Sequence, residues 1–370
     1  VIPILHLTEN WRAGGTEAVV SSLLAGLGDA GFAPSLATLD PSPRLDRLPG
    51  GIPFHHLPGR FPLDPRAVAR LAGLLRRGRF PLLHTHQVRA DLAGAAGARL
   101  AGGPPVISTR HETLPFRLRR GLRGAAFRAM DRRAAAASAA TVCISAAVRD
   151  FLTREEGIPE GRLSVIHNGI DPALFAPLAK DEVARGRTRA GIDPGGPVIG
   201  FLGRLEQAKG ADLLPAIWER VRGASPAATL VIAGEGSLGP SLKGLPGKVL
   251  LPGRVEPEGL LPLLDLLLVP SRSEGFSLAV IEAAACGVPA VAFAVGGLVE
   301  TIADGETGAL VAPDEVGALA QAVTRLAGDP AGRARMGERA RGRAVRDFSR
   351  EGMLRAYIRL YRSLLGGEGE

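Results

Sequence analysis

Short apolar runs alternate with amphipathic stretches along this chain. In the first half, Val1–Leu7, Pro34–Leu39, Pro81–His84, Val106–Thr109 and Ala140–Ile144 are apolar runs of strand length, each followed by turn residues and a helical pattern. Glu17–Leu27 reads as a helix after a Gly14-Gly15 turn. Ser145 before Ala146–Leu152 predicts an N-cap, and Asp171-Pro172 predicts an N-cap with proline at the first helical position. The rhythm pauses over Ala176–Pro197, which is rich in charge, Gly and Pro and holds no strong strand, so a linker is expected there. It resumes with Pro197–Leu202, Ala228–Ala233, Lys248–Leu251, Leu264–Val269, Ala290–Ala294 and Ala309–Val311, with helices between most of them. Met353–Leu365 is an aromatic-bearing amphipathic helix expected to pack back across the domains. Alternating strands and helices predict an α/β architecture of two parallel sheets covered on both faces. Ligands of such sheets bind outside the carboxyl ends of the strands, so the residues just after each run are where chemistry is to be sought.

Composition adds bounds to this picture. A chain of 370 residues, 46% hydrophobic, suggests two domains with a core each. No apolar run reaches the roughly 18 residues that cross a bilayer, and no charged segment leading into an apolar one opens the chain. Both observations favour a cytoplasmic protein. Cys143 and Cys286 are far apart in apolar stretches, which points to buried inert thiols over a disulfide or a zinc site. The net charge of +8 lies wholly in the first half, where residues 1–180 hold 23 Lys and Arg against 14 Asp and Glu. Such an excess suits nucleic acid, an acidic substrate or an anionic membrane surface. Because only four of the 45 basic residues are lysines, a compositional bias toward Arg accounts for it equally.

The segment Pro270–Ser277, followed by Leu278–Cys286 and Gly287-Val288-Pro289, carries the strongest chemical pattern. A buried strand ends in a polar loop, Ser277 is placed to cap a helix of about two to three turns, and Gly287 with Pro289 ends it. The free N–H groups at that helix start suit an anion. Glu274 lies just before them and Glu282 about one turn in. A carboxylate repels phosphate but accepts two hydrogen bonds from a vicinal diol, so the pair fits a ligand with phosphate between two sugars. From spacing alone, two solvated surface glutamates fit as well.

In Gly200–Gly210 an apolar strand breaks at Gly203 and delivers Arg204 and Lys209 at its carboxyl end. Two cations there suit a pyrophosphate and its departure, or are ordinary solvated residues. Gly234-Glu235-Gly236-Ser237-Leu238-Gly239 matches G-x-G-x-x-G after a strand, which would suggest a dinucleotide fold. The two prolines and two glycines of Pro240–Gly247 cannot open the long helix that motif needs, although backbone approach to a nucleotide remains open. In the first half, Gly14-Gly15-Thr16-Glu17 permits close approach of backbone to a ligand. His84, His86 and His111 end strand patterns but lack the company that zinc requires. His111 is the best placed to reach a reacting centre, whereas His84 and His86 read as structural hydrogen-bonders. Arg110–Arg133 carries eight arginines against Glu112 and Asp131, interleaved with Leu, Phe and Met. That suits a basic amphipathic helix on anionic lipid, or a solvated helix in an Arg-biased chain. Nucleic acid is disfavoured, because aromatic platforms and duplex-reading motifs are missing.

Together these pieces resemble the family-4 retaining glycosyltransferases of GT-B fold. The resemblance runs along nearly the whole chain and rests on the Gly14–Glu17 loop, His84-Thr85-His86, Ser108–His111, Val165–Asp171, Gly203–Gly210 and Gly234-Glu235-Gly236. Most specific is Ser271–Pro289, which holds the family's Glu-x7-Glu signature as Glu274 and Glu282. The resemblance implies two Rossmann-like domains facing a central cleft: an acceptor-binding domain over 1–180, a nucleotide-sugar domain over 190–348, and a helix over 349–370 crossing back to the first. It puts Arg204 and Lys209 on the diphosphate, Glu282 on the ribose diol and Glu274 on sugar hydroxyls. Gly14, Gly15, Gly234 and the backbone of Gly275, Phe276, Ser277 and Leu278 would surround the donor, and His111 would contact the sugar near its reacting face. It further implies retaining, metal-independent hexosyl transfer without a cofactor, from a nucleotide-diphosphate sugar (UDP favoured, GDP second) to a glycan, lipid-linked or small-molecule acceptor in envelope or polysaccharide synthesis. Peripheral contact of the basic first half with an anionic membrane would follow. Phe276-Ser277 departs slightly from the family, many of whose members have a proline after the aromatic residue. An epimerase of the same fold, or a non-catalytic nucleotide-sugar-binding protein, fits the same architecture.

Overall fold

The computed structural model describes residues 1–12, 14–59, 61, 63–111, 121–193 and 195–366, and within these the side chains of 47, 122, 123, 126 and 127 are not described. The chain forms two compact units, Val1–Asn168 with Glu351–Glu370, and Gly169–Arg350.

The first unit holds the strands β1 (Ile2–Thr8), β2 (Phe32–Thr38), β3 (Phe54–His56), β4 (Leu82–His86), β5 (Val106–Arg110), β6 (Ala140–Cys143) and β7 (Leu163–Val165). They form one sheet of order β3-β2-β1-β4-β5-β6-β7, every pairing parallel. Helices α1 (Gly15–Leu27), α2 (Pro65–Gly78), α3 (Val88–Ala101), α4 (Gly121–Ala137) and α5 (Ala146–Phe151) make the crossovers. The core of α2 and α3 against the sheet gathers Leu5, Leu7, Leu71, Leu75, Leu83 and Ala93. Ser145 caps α5 as expected, its hydroxyl accepting from the Val148 N–H at 3.1 Å.

The second unit holds α6 (Lys180–Arg189), β8 (Val198–Leu202), α7 (Leu214–Ala224), β9 (Thr229–Ala233), β10 (Lys248–Gly253), α8 (Pro257–Leu260), β11 (Leu266–Val269), α9 (Leu278–Ala285), β12 (Ala290–Phe293), α10 (Leu298–Thr301), β13 (Gly308–Val311), α11 (Val316–Ala327) and α12 (Pro330–Asp347). Its sheet has the order β10-β9-β8-β11-β12-β13, again parallel throughout. Both orders run 3-2-1-4-5-6 from the first strand of each unit, the Rossmann arrangement, which reverses direction between β1 and β4 and between β8 and β11.

Helix α13 (Arg350–Leu364) closes the chain and buries Met353, Tyr357 and Tyr361 in the first unit. The Tyr361 hydroxyl meets His84 Nδ1 at 2.6 Å, and the Tyr357 hydroxyl meets Thr109 Oγ1 at 3.1 Å.

Three local expectations fail. The 176–197 stretch is no bare linker, since it contains α6, whose Arg187 binds the Leu263 carbonyl and the Asp265 carboxylate at 2.8 Å each. A charged sequence thus forms a packed helix through one anchored arginine. Asp171 caps no helix: it accepts from the Ala173 N–H at 2.9 Å in a turn, while the neighbouring Ile170 donates its N–H to the Phe348 carbonyl and accepts from the Arg350 N–H, which ties this segment to the end of the second unit. Ser277 stands at the N-cap of α9 but its hydroxyl makes no capping bond.

Candidate functional site

In the second unit the loops that leave β8, β9, β11 and β12 are joined backbone to backbone. Gly210 has φ +70, and a Cβ there would run into the Pro270 carbonyl. Gly234 has φ +140, and a Cβ there would run into the Gly203 carbonyl. Only glycine fits either position, because the left-handed backbone and the close approach both exclude a side chain. The Leu205 N–H donates to the Glu235 carbonyl at 2.8 Å and the Gly297 N–H to the Glu274 carbonyl at 3.0 Å. The result is a fixed loop cluster at the point of strand-order reversal, where open α/β sheets bind ligands.

Two predicted residues meet in that cluster. Lys209 ends the turn Gln207–Lys209, and its Nζ lies 2.7 Å from Glu274 Oε1. The same oxygen accepts from the Ser271 hydroxyl at 2.9 Å. Glu274 is 8% exposed, so this carboxylate is held by a cation and a hydroxyl in a nearly dry setting. Glu282 is the fifth residue of α9, about one turn in, and is partly buried. Burial pushes its carboxyl up to about 7, with the neighbouring Glu258 adding repulsion. Arg204 is exposed beside Gly203. Gly275, Phe276 and Ser277 are buried and lead into Leu278, the first residue of α9; the Phe276 ring points into apolar surroundings, edge-on to Phe348 at 5.5 Å.

Two residues that sequence patterning passes over hold the cluster. Glu206 accepts from the Ser237 N–H at 2.8 Å and from its hydroxyl at 2.7 Å, and these bonds keep the Glu206 carboxyl below its usual range. That fixes the Gly234–Gly239 loop against β8, and Pro240–Leu242 forms only a single 3-10 turn, so the dinucleotide reading has no helix to stand on. Arg272 clamps Asp212 with two bonds of 2.7 and 2.8 Å and also binds the Gln207 carbonyl at 2.8 Å. Only partners 31 positions away for Glu206 and 60 for Arg272 reveal these roles.

In the first unit, Gly14 and Gly15 open α1, and a Cβ on Gly14 would lie 2.8 Å from the carboxylate of buried Glu17. Asp40 is fully buried and accepts from the Trp11 N–H at 3.1 Å, the Ser42 N–H at 2.9 Å and the Arg12 side chain at 3.1 Å. Burial alone would raise its carboxyl, yet these donors outweigh it and hold the pKa down. Asp40 thereby fixes the segment between β1 and α1.

His111 follows β5 directly, and its Nε2 lies 3.2 Å from His86 Nδ1. His86 Nε2 in turn lies 3.1 Å from Nδ1 of His6, a residue not singled out by its sequence context. His84 stands beside them with Nδ1 on Tyr361 and Nε2 2.7 Å from Thr109 Oγ1. Burial depresses all four rings, His6 to about 3, His111 to about 4, and His84 and His86 well below the usual value. His6, His84 and His86 offer ring nitrogens within 4.8 Å of one another, close enough for one ion, but both nitrogens of His84 already face hydroxyls.

Of the arginine-rich stretch Arg110–Arg133, residues 112–120 lie outside the described residues. Arg110 itself belongs to no solvated or lipid-facing helix. It is 2% exposed and pairs with Asp91 at 3.0 Å and Asp131 at 2.7 Å. Burial works against its charge, and the two carboxylates outweigh burial and hold its pKa up. Asp91, on the other side, is pushed by burial to about 6 despite Arg110. Cys143 and Cys286 are buried free thiols, both raised to about 12 by burial.

Glu274, Lys209, Arg204, Gly234, Gly275–Leu278 and Glu282 thus share the second unit, and Gly14, Gly15 and His111 share the first. Residues 196–329 match the family model "Glycosyl transferases group 1", and residues 13–174 match "Glycosyltransferase Family 4". The chain is 30% identical over 357 residues to D-inositol 3-phosphate glycosyltransferase 1 of Catenulispora acidiphila, covering 86% of this chain and 84% of that protein. It is 34% identical over 277 residues to glycogen synthase of Mycobacterium tuberculosis (strain CDC 1551 / Oshkosh), covering 71% of this chain and 64% of the synthase. Anabaena Alr3699/HepE in complex with UDP and glucose has the same fold, with a TM-score of 0.85 at 20% identity over 98% of this chain and all of that one.

Proposed function

The chain belongs to the family-4 glycosyltransferases of GT-B fold, and from that membership we propose that it transfers a hexose-type sugar from a nucleotide-diphosphate donor with retention of configuration. The observation that carries the reading is the Lys209–Glu274 contact at 2.7 Å, set at the point where the second sheet reverses its strand order. A cation and a carboxylate on adjacent loops match the two ends of a sugar diphosphate, one anionic and one rich in hydroxyls.

In this reading Lys209 and Arg204 neutralise the diphosphate as it leaves, which supplies the positive charge without a metal ion. Glu274 reads sugar hydroxyls and Glu282 accepts from the ribose diol. The backbone of Gly275, Phe276, Ser277 and Leu278, with Gly14, Gly15 and Gly234, leaves room for the ligand to approach, and His111 contacts the sugar. Attack from the leaving-group face, with the departing phosphate oxygen taking the acceptor proton, needs no protein base. UDP is the favoured nucleotide, supported by the UDP in the HepE structure of like fold. The acceptor is a glycan, a lipid-linked sugar or a small molecule such as the inositol phosphate in the relative's name.

We further propose peripheral contact with anionic membranes on the cytoplasmic side through the first unit. Arg66, Arg70, Arg76 and Arg77 are exposed along α2, and among the described residues no helix is long and apolar enough to cross a bilayer.

Incubating the protein with UDP- and GDP-sugars, with and without acceptors, tests the central reading. Nucleoside diphosphate released only when acceptor is present supports transfer. Donor conversion without acceptor would make the protein an epimerase, and binding without turnover would make it a sensor.

A further inference from the structure

We propose that His6 and His86 fix the tautomer of His111, so that His111 presents a hydrogen-bond donor, its Nδ1–H, at the carboxyl end of β5. The argument begins with the two ring-to-ring contacts, His6 Nδ1 to His86 Nε2 at 3.1 Å and His86 Nδ1 to His111 Nε2 at 3.2 Å. Each contact joins two imidazole nitrogens, and a hydrogen bond there requires one protonated nitrogen and one bare nitrogen. A neutral imidazole carries one of each. The three rings therefore share a single choice: all three protons sit on Nδ1, or all three sit on Nε2. Burial keeps the rings neutral, which is what this coupling needs.

The far end of the chain of rings decides between the two states. His6 Nε2 is buried and has no hydrogen-bond partner among the described residues. In the all-Nε2 state it would be an orphaned N–H, whereas in the all-Nδ1 state it is a bare lone pair. A buried donor without an acceptor is the rarer and more costly of the two. His6 thus carries its proton on Nδ1 and donates to His86, which donates to His111 Nε2. That leaves His111 with its proton on Nδ1, an atom that has no partner among the described residues. His84 takes no part in the relay, because hydroxyls occupy both its nitrogens, but its ring packs 4.1 Å from that of His86 and holds it in place.

The chemical consequence is specific. His111 offers an uncharged donor suited to a sugar hydroxyl or phosphate oxygen, and its Nε2 lone pair is already engaged, so it is withheld from acting as a base. His6 and His86 act through His111 as positioning residues. Only the effect on turnover rests on the transferase reading; the tautomer is a property of the protein alone.

The test uses the full chain labelled with 15N-histidine, with the His111 ring signals assigned by His111→Gln. At neutral pH the expected spectrum shows His111 protonated at Nδ1; protonation at Nε2 would overturn the proposal. A second arm compares His86→Asn with His86→Gln. The Asn amide sits near the position of Nδ1 and still donates to His111, while the Gln amide sits near Nε2 and reaches only His6. H86Q is expected to lose kcat by about tenfold more than H86N at similar KM for the donor. Equal losses in the two would overturn the positioning role. Should the wild-type protein transfer no sugar at all, the transferase reading falls while the ring spectrum still decides the tautomer.

Discussion

Lys209 Nζ and Glu274 Oε1 lie 2.7 Å apart although their residues sit 65 positions apart, one after β8 and the other after β11. The pair makes each residue the counter-charge of the other. A bound diphosphate would compete for the lysine and release the carboxylate toward hydroxyls. If Lys209 neutralises the leaving diphosphate and Glu274 orients the sugar, as proposed, Lys209→Ala and Glu274→Ala should each lower kcat by more than about tenfold. Initial rates of nucleoside diphosphate release measure this, and near-normal turnover in both variants would remove these residues from the site.

Glu282 has its carboxyl raised to about 7 from a usual 4.5, with burial as the main cause. Over that interval the folded state holds a proton that the unfolded state has lost, so its contribution to stability falls as pH rises from about 4.5 to about 7. Glu282→Gln removes this term. The Tm of E282Q relative to wild type should therefore rise between pH 5 and pH 8, as read by calorimetry in matched buffers. A difference that is flat with pH would mean Glu282 titrates normally.

Gly210 and Gly244 both have positive φ, +70 and +82, but only Gly210 abuts another backbone, that of Pro270. Gly244→Ala should lose about 1 kcal/mol from backbone strain, and Gly210→Ala distinctly more, because the loops after β8 and β11 must separate. Urea midpoints of the two variants give the comparison.

Arg110 is the one cation bonded to Asp91 and Asp131 in the described ion pairs, at 2% exposure. Arg110→Met would leave two buried carboxylates without their counter-charge, at a cost of about 3–5 kcal/mol. Equilibrium denaturation should show the loss. Its partial recovery at low pH, where protons neutralise the aspartates, separates this cause from lost packing.

If the basic face of α2 meets membranes, the protein should sediment with anionic vesicles, stay free of neutral ones and be released by high salt. Arg76→Glu with Arg77→Glu should weaken that sedimentation. Equal binding of both vesicle types would point to something other than charge.

How far the chain could be read without its structure depended on where each residue's partners lie. All six apolar runs expected in the second half became strands, since period and run length are local properties. The strands β3 and β7 are three residues each, too short for a period to show, and only pairing with β2 and β6 defines them. Helix α6 was hidden by its charge, because what makes it part of the fold is a contact between Arg187 and Asp265, 78 positions apart.

By itself, then, the sequence determined the α/β class, the loops that follow β8 and β11, and the residue types offered there, because side-chain chemistry and periodicity are written along the chain. Only the tertiary structure decided that Lys209 pairs with Glu274, that Arg110 is a buried charge, and that His6 joins His86 and His111. The physical reason is that a parallel sheet places residue beside residue across crossovers: His6 meets His86 from 80 positions away, and His84 meets Tyr361 from 277. Hydrogen bonding and burial at those meetings set protonation and charge, and no window along the chain contains both partners.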